Sequence, residues 1–182
     1  MLDVEGQLRQ AGLELLGSCE RLSGRGPSLL QHAALLQDFT LAEIDTLGAS
    51  MLLVRAQPGQ VLIAEGERGD WMLLLLSGTV DVTKATPPGD DDQAPHESFS
   101  RLAVIKEGAS VGEMSMLDQD LRYATCTAID TVEAAVLARG AIGRLIQQHP
   151  AVGAKLMVKI TQLMAQRLRN TSNQLVKLLR KP

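Results

Sequence analysis

The chain has 182 residues, enough for one domain with a sizeable core and an added helical segment. A net charge of −3 gives no global attraction to a polyanion, and two Phe, one Trp and one Tyr are too few for a base-stacking surface. Hydrophobic content of 45% with so few aromatics calls for an aliphatic core. No apolar run reaches the roughly 18 residues that span a bilayer, and no secretory signal pattern opens the chain. Cys19 and Cys126 are far apart and match no metal spacing, so a reducing cytoplasm is the expected setting.

In chain order, Leu8, Leu15, Cys19 and Leu22 predict an amphipathic helix between Leu2 and Leu22. Gly6, Gly12 and Gly17 weaken it by about 1 kcal/mol each. The stretch Ser23-Gly24-Arg25-Gly26-Pro27-Ser28 breaks it, and Leu29 to Leu36 reads as a second short helix. A third opens at Thr40-Leu41-Ala42-Glu43, a capping box, with Phe39 and Ile44 placed as a hydrophobic staple. These helices either pack on the domain or meet a partner.

After Ser50 the texture becomes short strands. Met51–Val54, Val61–Ala64, Trp71–Leu76 and Thr79–Thr83 are separated by Pro58-Gly59, Glu65-Gly66, Gly69-Asp70 and Ser77-Gly78. Such spacing suggests a sandwich or barrel. Lys84 to Ser98, with three prolines and a run of three aspartates, reads as an exposed mobile loop without the ligand pattern of a calcium site. Phe99–Ile105, Tyr123–Ile129 and Val132–Leu137 are the remaining strands, and Cys126 reads as a small buried residue. His32, His96 and His149 are scattered, and no Cys–His or Ser–His–Asp arrangement can be drawn, so no metal site and no enzymatic chemistry are expected.

Between the last strands stands Val111-Gly112-Glu113-Met114-Ser115, then Arg122-Tyr123-Ala124-Thr125. Glycine allows close backbone approach, arginine offers a planar fork of donors to phosphate, and glutamate accepts from a hydroxyl. An anion beside a hydroxyl describes a sugar phosphate. With Gly112, Glu113, Ser115, Arg122, Ala124 and Thr125 in place, the stretch resembles the phosphate-binding cassette of the cyclic nucleotide-binding domain family. The Pro-Gly, Glu-Gly, Gly-Asp and Ser-Gly landmarks upstream follow that family's barrel in order.

Beyond the strands, Ile142, Leu145 and Ile146 predict a short helix ending before His149-Pro150. From Ala151 to Leu179 a helix of some 40 Å is expected, interrupted only by Gly153. Its first half carries a wide apolar stripe (Leu156, Met157, Ile160, Leu163, Met164) suited to packing on its own domain. Its second half narrows to Leu168, Thr171, Leu175 and Leu178, a seam suited to another helix. Helix-to-helix dimerisation and a monomer with the tail laid back on the barrel are the two readings; the homodimer is expected. Arg144-Leu145-Ile146-Gln147 with Pro150, and Gln166-Arg167-Leu168 with Thr171-Ser172 and Lys177-Leu178, resemble the matching helices of the catabolite activator branch of the family.

The resemblance covers roughly Leu35 to Leu179. It implies an α+β fold: an antiparallel β-roll or jelly-roll barrel (a double-stranded β-helix) with N-terminal helices and a long C-terminal helix. Residues 1–34 are then an N-terminal helical extension and residues 35–182 the domain. The ligand-binding candidates are Gly112, Glu113, Met114, Ser115, Arg122, Tyr123, Ala124, Thr171 and Ser172. Of these the resemblance gives Arg122 and the backbone near Glu113 to the cyclic phosphate, Glu113 to the ribose, and Thr171 and Ser172 to the purine, one from each subunit. It implies a bacterial-type stand-alone sensor that binds cyclic AMP rather than cyclic GMP and signals to an effector protein through its C-terminal helix. Tyr123 stands where a short hydroxyl contacts guanine in the family; it is too large to copy that contact, and it either folds into the pocket or stacks on a purine. A constitutive interaction module with a vestigial pocket and a cyclic dinucleotide receptor are the alternatives. The chain stops at Pro182, where that branch continues into a helix-turn-helix, so no nucleic-acid partner is expected.

Overall fold

The computed structural model describes residues 4–86 and 99–179. Most of the predicted mobile loop, residues 87–98, lies outside the described residues, as do Arg180 and Lys181. Helix α1 (Val4–Gln10) leads to strand β1 (Glu14–Ser18), helices α2 (Pro27–His32) and α3 (Leu41–Ala49), and strands β2 (Leu52–Ala56), β3 (Val61–Ile63), β4 (Trp71–Ser77) and β5 (Thr79–Ala85). There follow β6 (Phe99–Lys106), β7 (Ser110–Val111), α4 (Glu113–Asp118), β8 (Thr125–Ala128), β9 (Val132–Ala138), α5 (Arg139–Gln148) and α6 (Pro150–Leu179).

The strands form two antiparallel sheets, β1-β2-β9-β4-β7 and β3-β8-β5-β6, flanked by the helices in an α+β, jelly-roll-like fold. The all-apolar run in β4 is explained by burial on both faces. Met72, Leu74 and Leu76 point into a core shared with the helices, while Trp71, Leu73 and Leu75 point into the barrel. Strand β9 divides its residues the same way, Ala135 and Leu137 outward, Val132, Ala134 and Val136 inward. The period of two thus splits one sequence run between two cores.

The first predicted helix is not what forms. Helix α1 stops at Gln10, Gly12 turns the chain at φ +76°, and residues 14–18 pair with β2 as an edge strand. Leu8 and Leu13 enter the barrel core and Cys19 and Leu22 the helical core. The helical spacing was coincidental; pairing with the open edge of β2 outweighs a propensity already weakened by three glycines. The second predicted helix is also broken. Helix α2 ends at His32, Ala33 is extended, and a 3-10 turn covers Ala34–Leu36. Gly108 packs there so closely that a Cβ on it would lie 2.6 Å from the His32 carbonyl carbon.

The third helix matches its expected start. Thr40 Oγ1 accepts from Glu43 N, and the Glu43 carboxylate accepts from Thr40 N at 2.7 Å. Phe39 and Ile44 belong to one apolar cluster. Helix α6 runs 30 residues, about 45 Å. Gly153 does not break it: it is where α5 and α6 touch, a Cβ there falling 2.6 Å from the Ile146 side chain.

Candidate functional site

Strand β7 ends at Gly112, whose φ of +86° favours glycine. A Cβ there would also stand 2.9 Å from Nη1 of Arg122. Helix α4 begins at the next residue and carries Glu113 and Ser115 inward, 2% and 3% exposed, with Met114 at the surface. After α4, Gln119 adopts φ +66° and the chain returns toward β8. Arg122 N donates to Glu67 O at 2.8 Å and Gly66 N to Arg122 O at 2.9 Å, which locks this return against the β3–β4 turn.

Arg122 is 4% exposed. Nη1 donates to Gly112 O at 2.9 Å, Nη2 to Trp71 O at 2.7 Å, and the group lies 4.5 Å from the centre of the Trp71 ring. Gly69 makes room for it, since a Cβ would come within 2.5 Å of Nη2. Burial pulls its pKa below the ordinary arginine value, opposed by Cys126, Asp70 and Glu113 nearby. Arginine stays charged in proteins, so this is a buried cation held by two carbonyls. Of its five N–H donors these carbonyls take two.

Glu113 is the counterpart. Its Oε1 accepts from Nη1 of Arg167, whose Nη2 donates to Ser110 O. Its Oε2 is fully buried and has no hydrogen-bond partner. Arg167 arrives from α6, so one buried carboxylate ties the cassette to the long helix. Buried polar atoms in proteins are almost always paired, and an unpaired one marks a place for a donor.

A cavity of about 390 Å³ joins these groups, within the range of small-ligand sites. Gly112, Glu113, Met114, Ser115, Arg122, Tyr123, Ala124 and Thr171 line it, which brings together eight of the nine sequence candidates. Ser172 does not line it: on a helix it projects about 100° from Thr171, away from this chain's pocket. Cys126 forms part of the floor, its thiol pushed up to about 11 by burial, a neutral small residue as expected. Larger cavities of about 510 and 600 Å³ lie beside α1, but neither includes Glu113. Chemistry, not size, selects the site.

Three wall residues carried no role in the sequence reading. Arg167, Asn170 and Gln174 share one face of α6 with Thr171, at spacings of three, four and seven. The signal was present as a polar stripe beside the apolar seam. Lys84 and Glu65 also went unassigned. Lys84 Nζ lies 2.8 Å from Glu65 Oε1 and 4.1 Å from the centre of the Tyr123 ring. Among the described residues no cluster of three or more His, Cys, Asp or Glu could hold a metal, and no helix is long and apolar enough to cross a membrane.

The cyclic nucleotide-binding domain model matches residues 53–149. A solved cyclic nucleotide-binding domain from Methylobacillus flagellatus is similar at a TM-score of 0.75 and 30% identity, over 91% of this chain and 88% of that one. A CRP-like cAMP-activated global transcriptional regulator of Mycobacterium tuberculosis is 27% identical over 151 residues, 83% of this chain and 62% of that protein. Lysophospholipase nte1 of Aspergillus fumigatus is 29% identical over 161 residues, 87% of this chain and 9% of that protein. The chain therefore spans less than two thirds of the length of these two relatives.

Proposed function

The chain belongs to the cyclic nucleotide-binding domain family, and from that premise we propose that it is a sensor whose ligand is cyclic AMP. The observation that carries this reading is the buried Oε2 of Glu113, unpartnered beside a buried arginine. A ribose 2′-hydroxyl supplies the missing donor to Oε2, and the cyclic phosphate supplies a counter-charge for Arg122. In this reading the N–H groups of the first turn of α4, which begins beside the cavity at Glu113, add to the anion site.

The preference for cyclic AMP over cyclic GMP rests on two points. The position after Arg122 is Tyr123, too bulky for a short hydroxyl contact to the guanine 2-amino group. Thr171 stands on the cavity wall, where its hydroxyl accepts from an adenine 6-amino group. The cAMP-activated regulator of M. tuberculosis supports the same choice by similarity.

Output runs through α6 in this reading. Leu168, Leu175 and Leu178 are exposed along its distal half and suit pairing with the same helix of a second copy. Such pairing brings Ser172 of that copy toward the cavity. No enzymatic role is assigned, the effector is a protein, and the setting is the cytoplasm.

Calorimetric titration with cyclic AMP, cyclic GMP and cyclic dinucleotides tests the reading. Cyclic AMP is expected to bind most tightly, and Arg122→Ala to weaken it by on the order of 3–5 kcal/mol, more than a hundredfold. Failure of every cyclic nucleotide to bind, or wild-type affinity in Arg122→Ala, rejects it. Tightest binding by a cyclic dinucleotide transfers the site to that ligand.

A further inference from the structure

Resting on the reading above that the ligand is a cyclic mononucleotide, we propose that Tyr123 is the platform on which its base stacks. In the same proposal Lys84, fixed by Glu65, is the residue that positions the ring.

Tyr123 is the only tyrosine of the chain, and 56% of it is exposed. It is nonetheless held. Lys84 Nζ sits 4.1 Å from the ring centre and donates to the Tyr123 carbonyl at 2.8 Å. The same ammonium donates to Glu65 Oε1 at 2.8 Å. Glu65 is fixed in turn: its Oε2 accepts from Ala85 N at 2.8 Å, and its own N donates to Thr125 Oγ1 at 3.1 Å. The ends of β3 and β5 and the start of β8 therefore converge on one ring. Lys84 drawn toward this carboxylate pulls the Glu65 pKa below the ordinary value, as expected for a charge-assisted pair.

Tyr123 lines the cavity and Lys84 does not; in this proposal the ammonium covers one face of the ring and the base takes the other. The polar stripe of α6, with Thr171 and Gln174, lines the same cavity. A planar base between them meets a π-face on one side and hydrogen-bonding groups on the other. A ring already immobilised loses little freedom on stacking, which is the advantage of a prearranged aromatic. Stacking is tolerant of base identity but stronger for the larger purine. This ring therefore selects purine over pyrimidine, while the polar stripe chooses between purines.

The experiment compares cyclic AMP, cyclic CMP and base-free ribose 3′,5′-cyclic phosphate, titrated into the full chain by calorimetry. Tyr123→Leu should lower cyclic AMP affinity about tenfold, leave the base-free ligand unchanged and erase the preference over cyclic CMP. Tyr123→Phe should keep wild-type behaviour, and Lys84→Gln should show the same loss as Tyr123→Leu in smaller measure. An unchanged ratio of cyclic AMP to base-free affinity in Tyr123→Leu overturns the platform while leaving the ligand class intact. An equal loss for all three ligands also overturns it, because the ring then supports the fold of the cassette. Failure of wild type to bind any of the three removes this proposal and the ligand reading together.

Discussion

The two halves of α6 have the same backbone and opposite surroundings. In the first, Leu156 is 0% exposed and Ile160 1%, both in the helical core. Lys155 reaches both Glu43 oxygens at 2.7 Å and the Asp38 carbonyl at 3.0 Å, and Lys159 pairs with the Asp38 carboxylate. In the second half Leu168 is 69% exposed, as Leu175 and Leu178 also are in large part. Its tie to the barrel is Arg167, on Glu113 and Ser110. Helices of this length draw most of their stability from tertiary packing. One helix therefore contains a segment anchored in the core and a largely exposed segment that Arg167 ties to the cavity wall. That division suits the sensor role proposed above, in which the anchored half is the fixed reference and the distal half is the part that moves.

Truncation at equivalent leucines should break the symmetry of the helix most visibly. Leu156→Ala removes fully buried methyl groups and should cost about 2–5 kcal/mol of unfolding free energy. Leu168→Ala removes the same atoms from a solvated face and should stay within about 0.5 kcal/mol in dilute solution. Denaturant melts of the two variants measure the gap, and equal losses would mean the distal half is packed as firmly as the proximal one.

Charging the distal seam comes next. Leu168→Lys with Leu175→Lys should convert the proposed dimer to monomer in sedimentation while the folded subunit persists. A monomeric wild type would remove the helix pair and the second copy's Ser172 from the site.

Arg167→Ala removes that tie. It leaves the buried Glu113 carboxylate without its partner, a loss of about 1–3 kcal/mol in a local opening equilibrium. Amide exchange should accelerate roughly tenfold or more across residues 165–179 and stay unchanged across residues 150–164. Uniform acceleration along α6 would contradict the division.

The smallest effect concerns pH. Hydrogen bonding from Lys155 holds the Glu43 carboxyl below its ordinary value, and hydrogen bonding from Lys159 does the same for Asp38. A folded-state pKa below the unfolded one means stability present above the ordinary carboxylate range and lost as pH falls through the lowered values. The melting temperature of wild type should exceed that of Lys155→Met by a constant margin above about pH 5, and the margin should shrink on further acidification. Both carboxylates are solvent-accessible, so screening keeps this contribution small.

Local chemistry was legible in the linear chain wherever neighbours in sequence do the work. The capping box at Thr40 and Glu43, the strand ends at glycine turns, the start of α6 at Pro150 and the cassette from Gly112 to Ala124 all rest on contacts within a few residues or on backbone freedom. Eight of nine candidate residues meet in one cavity because most of them lie on one short segment that cannot be far from itself. Contacts between distant segments were not legible. Residues 14–18 became a strand because β2 offered an open edge. Arg167 took its place on Glu113 because a helix begun seventeen residues earlier passes the cavity at that turn, and Lys84 reached Tyr123 because β5 and β8 are paired. Periodicity and turn signals describe each element's own preference. Which edge it pairs with, and which charge it finds there, depend on loop closure and packing among elements far apart in the chain, and only the tertiary structure decides them.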